Sequence, residues 1–255
     1  MNTRKISRQR VLIFVALLLV FISGNLFAYQ FSPLEQVFGP TGAESTKTYT
    51  ILNDGDDSIA IEISALFRDQ DASGSEINKA ATAYFSIVPN KVIVSPQSSQ
   101  IVRVQYRGPK TVTNELSFRL KAEQIPYSKG KDSTEKGMFN FLYIYTTSLY
   151  VSPTKAIEKV AVKSVAPEVA EDGTRTLAVT VANLGNVHQL LIASVLEVSD
   201  SKGNSVVLEG SEELAGFDGM NILAKKTVTK QIPWPETLSQ ESGVTYQAKL
   251  KYTNN

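Results

Sequence analysis

The sequence predicts an all-β protein of two tandem sandwich domains behind a short leader, and three observations carry that expectation. From Tyr29 to Gln124, apolar and polar residues alternate in short runs separated by turn residues, the spacing of a β-sandwich and not of amphipathic helices. The same patterning resumes after Ser152-Pro153-Thr154, where proline lacks the donor that a continuing ladder needs. The 255 residues, less a leader, divide into two units of about 110 residues, each large enough to bury a core of its own. The expected division is 1–28, 29–152 and 153–255.

Met1–Ala28 reads as a secretory signal. Arg4, Lys5, Arg8 and Arg10 precede an apolar run from Val11 to Ile22, followed by Ser23-Gly24-Asn25 and the small residue Ala28. The run is too short to span a bilayer comfortably as a helix, so cleavage after Ala28 is expected to release an exported chain with no stable membrane insertion.

Tyr29–Phe38 is expected as the first strand. Lys47–Leu52 alternates into Asn53-Asp54-Gly55-Asp56-Asp57, and Ile59–Phe67 returns with Ile59, Ile61, Ile63, Ala65 and Phe67 on one face, which predicts a hairpin. Asp69–Ala83 is small and polar and reads as a loop. Phe85–Val94 carries strand residues around Pro89-Asn90, and Gln100–Tyr106 alternates Val102 and Val104 with Arg103 and Gln105. Leu116–Gln124 directs Leu116, Phe118, Leu120 and Ala122 inward and Ser117, Arg119, Lys121 and Glu123 outward. Ile125-Pro126-Tyr127 ends it, and Ser128–Gly137 is a charged surface loop whose composition predicts mobility.

Phe139–Val151 follows, without charge, Gly or Pro. Alternation puts Phe139, Phe141, Tyr143, Tyr145, Thr147, Leu149 and Val151 on one face. A strand of about thirteen residues greatly exceeds the usual five or six. It is either a core strand buried on both faces or, at a sheet edge, a template of unpaired backbone groups for another chain. The second domain is expected to hold strands at Val160–Val165, Thr176–Ala182, Gln189–Val198, Ser205–Leu208, Thr227–Ile232 and Thr245–Tyr252.

Composition narrows the function. The chain has no cysteine and one histidine, His188, so a thiol nucleophile, a His-based triad and a zinc site lack their parts, and no enzymatic activity or cofactor is expected. Asp54, Asp56 and Asp57 read as turn caps and not as metal ligands. With 26 Lys+Arg against 25 Asp+Glu, no nucleic-acid partner is expected. Binding is what remains.

The order of an apolar start, an Asn-Asp turn, Leu116-Ser117-Phe118-Arg119-Leu120 leading to Ile125-Pro126, a loop, a long apolar strand and the terminating Pro153 resembles the periplasmic pilus chaperones, the PapD-like family. Asn183-Leu184-Gly185-Asn186 before an apolar strand is a second echo. The resemblance implies two immunoglobulin-like domains, a periplasmic location, and fimbrial subunits and an outer-membrane usher as partners. It implies donor-strand complementation, in which residues 139–151 complete a pilus-subunit sandwich that lacks its last strand. Counting back from Pro153, the groove-filling side chains would be Phe139, Phe141 and Tyr143, with Tyr145 as a fourth.

The family uses two basic residues to anchor the terminal carboxylate of its client, and these align with Glu35 and Ser148; its interdomain arginine aligns with Ser152. Arg103, Arg119 and Lys121 are the candidates to replace the anchors, since a desolvated carboxylate needs charge-assisted donors. The alternative is a structural or accessory fimbrial component of the same fold. A structural component would carry a donor extension, whereas Tyr29-Gln30-Phe31-Ser32-Pro33 is short and broken by proline. A glycan-binding module would display aromatics on loops that here are Ser, Asp, Gly and Lys.

Overall fold

A computed structural model describes residues 29–127, 142–169, 171–214 and 216–253. The expected leader Met1–Ala28, the Ser128–Gly137 loop and both Phe139 and Phe141 lie outside these described residues. The all-β expectation holds: the first core is enclosed by two sheets and the second by two more.

In the first half, β1 (Gln30–Ser32), β3 (Thr46–Asn53), β8 (Ser98–Tyr106) and β6 (Phe85–Val88) form one sheet in the order β1-β3-β8-β6. The facing sheet runs β2 (Glu35–Phe38), β10 (Ile144–Val151), β9 (Leu116–Ile125), β4 (Ile59–Gln70) and β5 (Glu76–Ala80), with β7 (Lys91–Val94) also paired to β4. Inward residues of the two sheets interlock around Phe118, which meets Phe85 edge-on at 4.9 Å and Phe67 at 5.4 Å. Such pairs contribute about 0.5–1.5 kcal/mol each beyond their buried area. They fix β9 at the sheet centre, and β10 takes its register from β9.

In the second half, β11 (Val160–Val169), β12 (Arg175–Asn183) and β16 (Thr227–Pro233) pack on β14 (Ser205–Glu209), β13 (Gln189–Asp200), β15 (Met220–Ile222) and β17 (Tyr246–Thr253). Leu177, Val179, Leu191, Leu196, Phe217 and Val228 are fully buried between them. The turn at Asn183–Asn186 approaches the preceding linker so closely that a Cβ on Gly185 would stand 2.2 Å from the carbonyl oxygen of Ile157. Only glycine fits there.

Four local expectations are corrected. Asn53–Asp57 is not a hairpin turn, because β3 and β4 belong to opposite sheets. Their apolar faces, with Tyr49 and Ile51 on one and Ile61 and Ile63 on the other, meet across the core. Buried Asn53 makes that corner, donating to the carbonyls of Asp57 at 2.8 Å and Ser95 at 3.0 Å and accepting from the Gly55 amide at 3.1 Å. Tyr29–Phe38 is two strands in two sheets, since Pro33 cannot donate to a ladder. Phe85–Val94 likewise divides between the sheets as β6 and β7.

Asp69–Ala83, expected as a loop, contains the end of β4 and all of β5, paired from Leu66↔Ala80 to Gln70↔Glu76. Every residue of β5 is exposed, so no apolar alternation marks it. Asp71 closes its turn by accepting the amides of Ser73 and Ser75 at 2.9 and 2.8 Å. In the second half, β15 and a one-turn helix at Gly210–Glu213 add to the expected elements.

Candidate functional site

The site is built on β10, whose two sides are unequally covered. On one side β9 pairs antiparallel along the whole strand, from Ile144↔Glu123 to Val151↔Leu116. On the other, β2 pairs in parallel only from Ser148↔Glu35 to Val151↔Phe38, and the Ser148 amide donates to the Leu34 carbonyl at 2.8 Å. Among the described residues no strand pairs with that second side of Ile144–Thr147. β2 is too short to reach it.

Thr147, Leu149 and Val151 are fully buried on the core face. On the same face Tyr145 and Tyr143 are half-buried, Tyr145 lying edge-on to Tyr29 with centroids 4.8 Å apart. Coverage of this face therefore thins toward the start of the strand. The opposite face starts with Leu142 and Ile144, 47% and 55% exposed.

Only one of the three candidate anchors stands beside β10 at the expected level. Arg103 is on β8, in the other sheet, between Thr48 and Val88. Lys121 lies opposite Thr146 and pairs with Glu123 at 2.5 Å. Arg119 lies opposite Ser148, and its Nη1 donates to Ser148 Oγ at 2.7 Å. Glu35, Ser148 and Arg119 thus share one level on three adjacent strands.

The partners of Arg119 are not evident from the sequence. Its Nε and Nη2 clasp Glu76 at 2.9 and 2.5 Å, and Arg68 Nε reaches the same carboxylate at 2.8 Å. Burial would raise the Glu76 carboxyl, but the hydrogen bonds from Arg119 and Asn78 and the charges of Arg68 and Arg119 outweigh it, holding the group at about 2 from its ordinary 4.5. Glu76 falls in the stretch expected as a loop. Arg68, at the end of an alternating strand, is the signal that could have pointed to it.

The outer face of β10 joins the two halves of the molecule. Tyr150 stacks on His188 at 3.8 Å and 7°, and its hydroxyl accepts from Arg68 Nη1 at 3.1 Å and Asn221 Nδ2 at 2.9 Å. Ser152 Oγ donates to Glu115 Oε2 at 2.9 Å, while Glu115 Oε1 receives the His188 amide at 3.0 Å and lies 2.7 Å from His188 Nδ1. The Glu115 side chain is 1% exposed, so these contacts replace its hydration. A second tether runs from the β4–β5 hairpin: Gln70 Nε2 donates to the Asn221 carbonyl at 2.8 Å, the Thr229 amide donates to the Ala72 carbonyl at 2.8 Å, and Asp69 pairs with Lys226. Between the tethered parts lies a cleft of about 340 Å³ lined by Arg68, Glu76, Asp218, Asn221 and Lys230 among others.

Residues 40–156 match the family described as pili and flagellar-assembly chaperone, PapD N-terminal domain. No curated protein matches the chain by sequence. Among solved structures, the class 5 fimbriae chaperone CfaA is similar with a TM-score of 0.54 at 14% identity, covering 89% of this chain and all of that one (100%). A chain from the chaperone–tip adhesin complex of CFA/I fimbriae biogenesis gives 0.53 at 13%, covering 88% and 98%. One from the CsuC–CsuE chaperone–tip adhesion subunit pre-assembly complex of Acinetobacter baumannii gives 0.51 at 12%, covering 80% and 89%. At these identities the structures establish the shared fold, and the sequence match is confined to residues 40–156. Residues 40–156 thus carry the sequence match to a PapD-like N-terminal domain, and the chain shares the fold of the fimbrial chaperones.

Proposed function

We propose that the chain is a periplasmic chaperone that receives exported fimbrial subunits, completes their unfinished sandwich with the start of β10 and the residues before it, and passes them to an outer-membrane usher. The observation that carries this reading is the uncovered side of Ile144–Thr147. A strand held by β9 and left open on its other side presents backbone groups ready to pair, which is the requirement for strand addition. The half-buried row of Tyr143 and Tyr145, continued by Phe141 and Phe139, would fill the client's groove. Each aromatic buried there would contribute on the order of 1.5–3 kcal/mol. The tip-adhesin complexes among the similar structures support a fimbrial subunit as the client. In this reading Met1–Ala28 directs export, residues 29–152 and 153–255 are the two domains, and Arg119 is the cation facing the client's chain end in place of the basic residues absent at 35 and 148.

The test is capture of fimbrial subunits from the periplasm by tagged chain carrying Phe141→Asp or, on the opposite face, Leu142→Asp. Phe141→Asp is expected to melt like the wild type and to lose the client, because a carboxylate in an apolar groove costs several kcal/mol. Leu142→Asp is expected to retain both properties. A folded Phe141→Asp protein with normal capture would remove this face from the mechanism, and a globally unfolded one would return it to the core.

A further inference from the structure

Arg68 and Arg119 form a carboxylate-binding pair, and in the free chain the carboxylate they hold is its own. Glu76 Oε1 receives Asn78 Nδ2 at 2.8 Å and Arg119 Nε at 2.9 Å; Oε2 receives Arg119 Nη2 at 2.5 Å, Arg119 Nε at 3.1 Å and Arg68 Nε at 2.8 Å. The fork of Arg119 is therefore fully engaged, and a second carboxylate cannot take the same bidentate geometry while Glu76 remains. Two guanidiniums share one negative charge. Asp69 and Glu123 pair with lysines of their own, Lys226 and Lys121.

The carboxylate is also the loosest member of the cluster. Its side chain is 27% exposed against 18% for Arg119 and 10% for Arg68. It stands on β5, an edge strand with every residue exposed, and reaches back over β4 to Arg119 on β9. Arg68 and Arg119, by contrast, are braced by the Tyr150 hydroxyl at 3.1 Å and the Ser148 hydroxyl at 2.7 Å on β10. Swinging Glu76 into solvent breaks only its own contacts and leaves a prepared double-guanidinium site.

On the reading of Arg119 given above, we propose that Glu76 is an internal competitor, filling this site in the free chaperone and giving way to the terminal carboxylate of the bound polypeptide. It tunes how much a client gains from its chain end. Removing it uncovers a site for simple carboxylates.

The test uses acetate as the probe on the full mature chain, at constant ionic strength, following the arginine Nε–Hε resonances. In the wild type the Arg119 signal is expected to resist acetate. In Glu76→Gln it should titrate at least about tenfold more tightly, since a charge-assisted bidentate partner has been removed from the same donors. Adding Arg119→Ala to Glu76→Gln should abolish the response, and acetamide should give none in any variant. Equal acetate response in wild type and Glu76→Gln, or a response that survives loss of Arg119, would overturn the proposal. Glu76→Ala repeats the comparison should Glu76→Gln fold poorly. Client capture is scored separately through Phe141→Asp: capture dependent on Phe141 with no acetate effect of Glu76 rejects the competitor and leaves the chaperone reading standing, whereas an acetate effect without Phe141-dependent capture rejects that reading alone.

Discussion

The two halves of β10 share one alternation pattern and have opposite surroundings. From Ser148 to Val151 the strand is paired on both sides, its core face is fully buried, and Tyr150 carries the contact to the second domain. From Ile144 to Thr147 it is paired, among the described residues, with β9 alone, and its outer face is exposed at Ile144 and Thr146. The difference comes from neighbours: β2 stops at Glu35, and the second domain touches only the end of the strand. One continuous strand can thus be structural where it is covered on all sides and available where a short neighbour runs out.

Truncation of one side chain from each half puts this contrast under the greatest load. Leu149→Ala should lower stability by about 2–5 kcal/mol, the range for large-to-small changes in a packed core. Ile144→Ala should stay within about 0.5 kcal/mol, as exposed substitutions do. Urea unfolding of both variants checks this, and equal losses would show that the halves do not differ.

Glu115→Ala probes the interdomain end, because it leaves the Ser152 hydroxyl and the His188 amide without their acceptor. A buried donor left unpaired costs about 1–3 kcal/mol. The loss should appear in calorimetry as a separation of the two domains' unfolding transitions, with the strand's open half unaffected. A single unseparated transition at the wild-type temperature would mean that Glu115 does not couple the domains.

Glu76, whose partners all reach solvent, should give the mildest change. Its folded carboxyl titrates at about 2 against an ordinary 4.5, so the stability it lends is present above 4.5 and is lost as pH falls toward 2. Glu76→Gln should cost about 1 kcal/mol at neutral pH, within the range for partly exposed ion pairs, and the deficit should vanish in acid. Melting curves from pH 7 to pH 2 would show it; a deficit independent of pH would place its origin in packing and not in charge.

Leu116, Phe118, Leu120 and Ala122 point inward as alternation requires, and the turn residues at Asn183–Asn186 mark a real turn. The core stands out because apolar periodicity is a local signal. Sheet membership is not local: Lys47–Leu52 and Ile59–Phe67 have the residues of a hairpin, yet lie in opposite sheets because both apolar faces must meet across one core. β5 escapes a reading of the sequence because a fully exposed edge strand has no apolar face to repeat.

Residue type and spacing within a few positions are enough to establish that the chain is all-β, that it has no cysteine and one histidine, and that one uncharged aromatic strand precedes Pro153. Three further properties arise only once the chain is folded: among the described residues the strand is open on one side at Ile144–Thr147, Arg119 alone among three candidates stands beside Ser148, and Glu76 from an edge strand occupies it. These depend on which strands become neighbours, and that is fixed by closing one core around residues far apart in the chain.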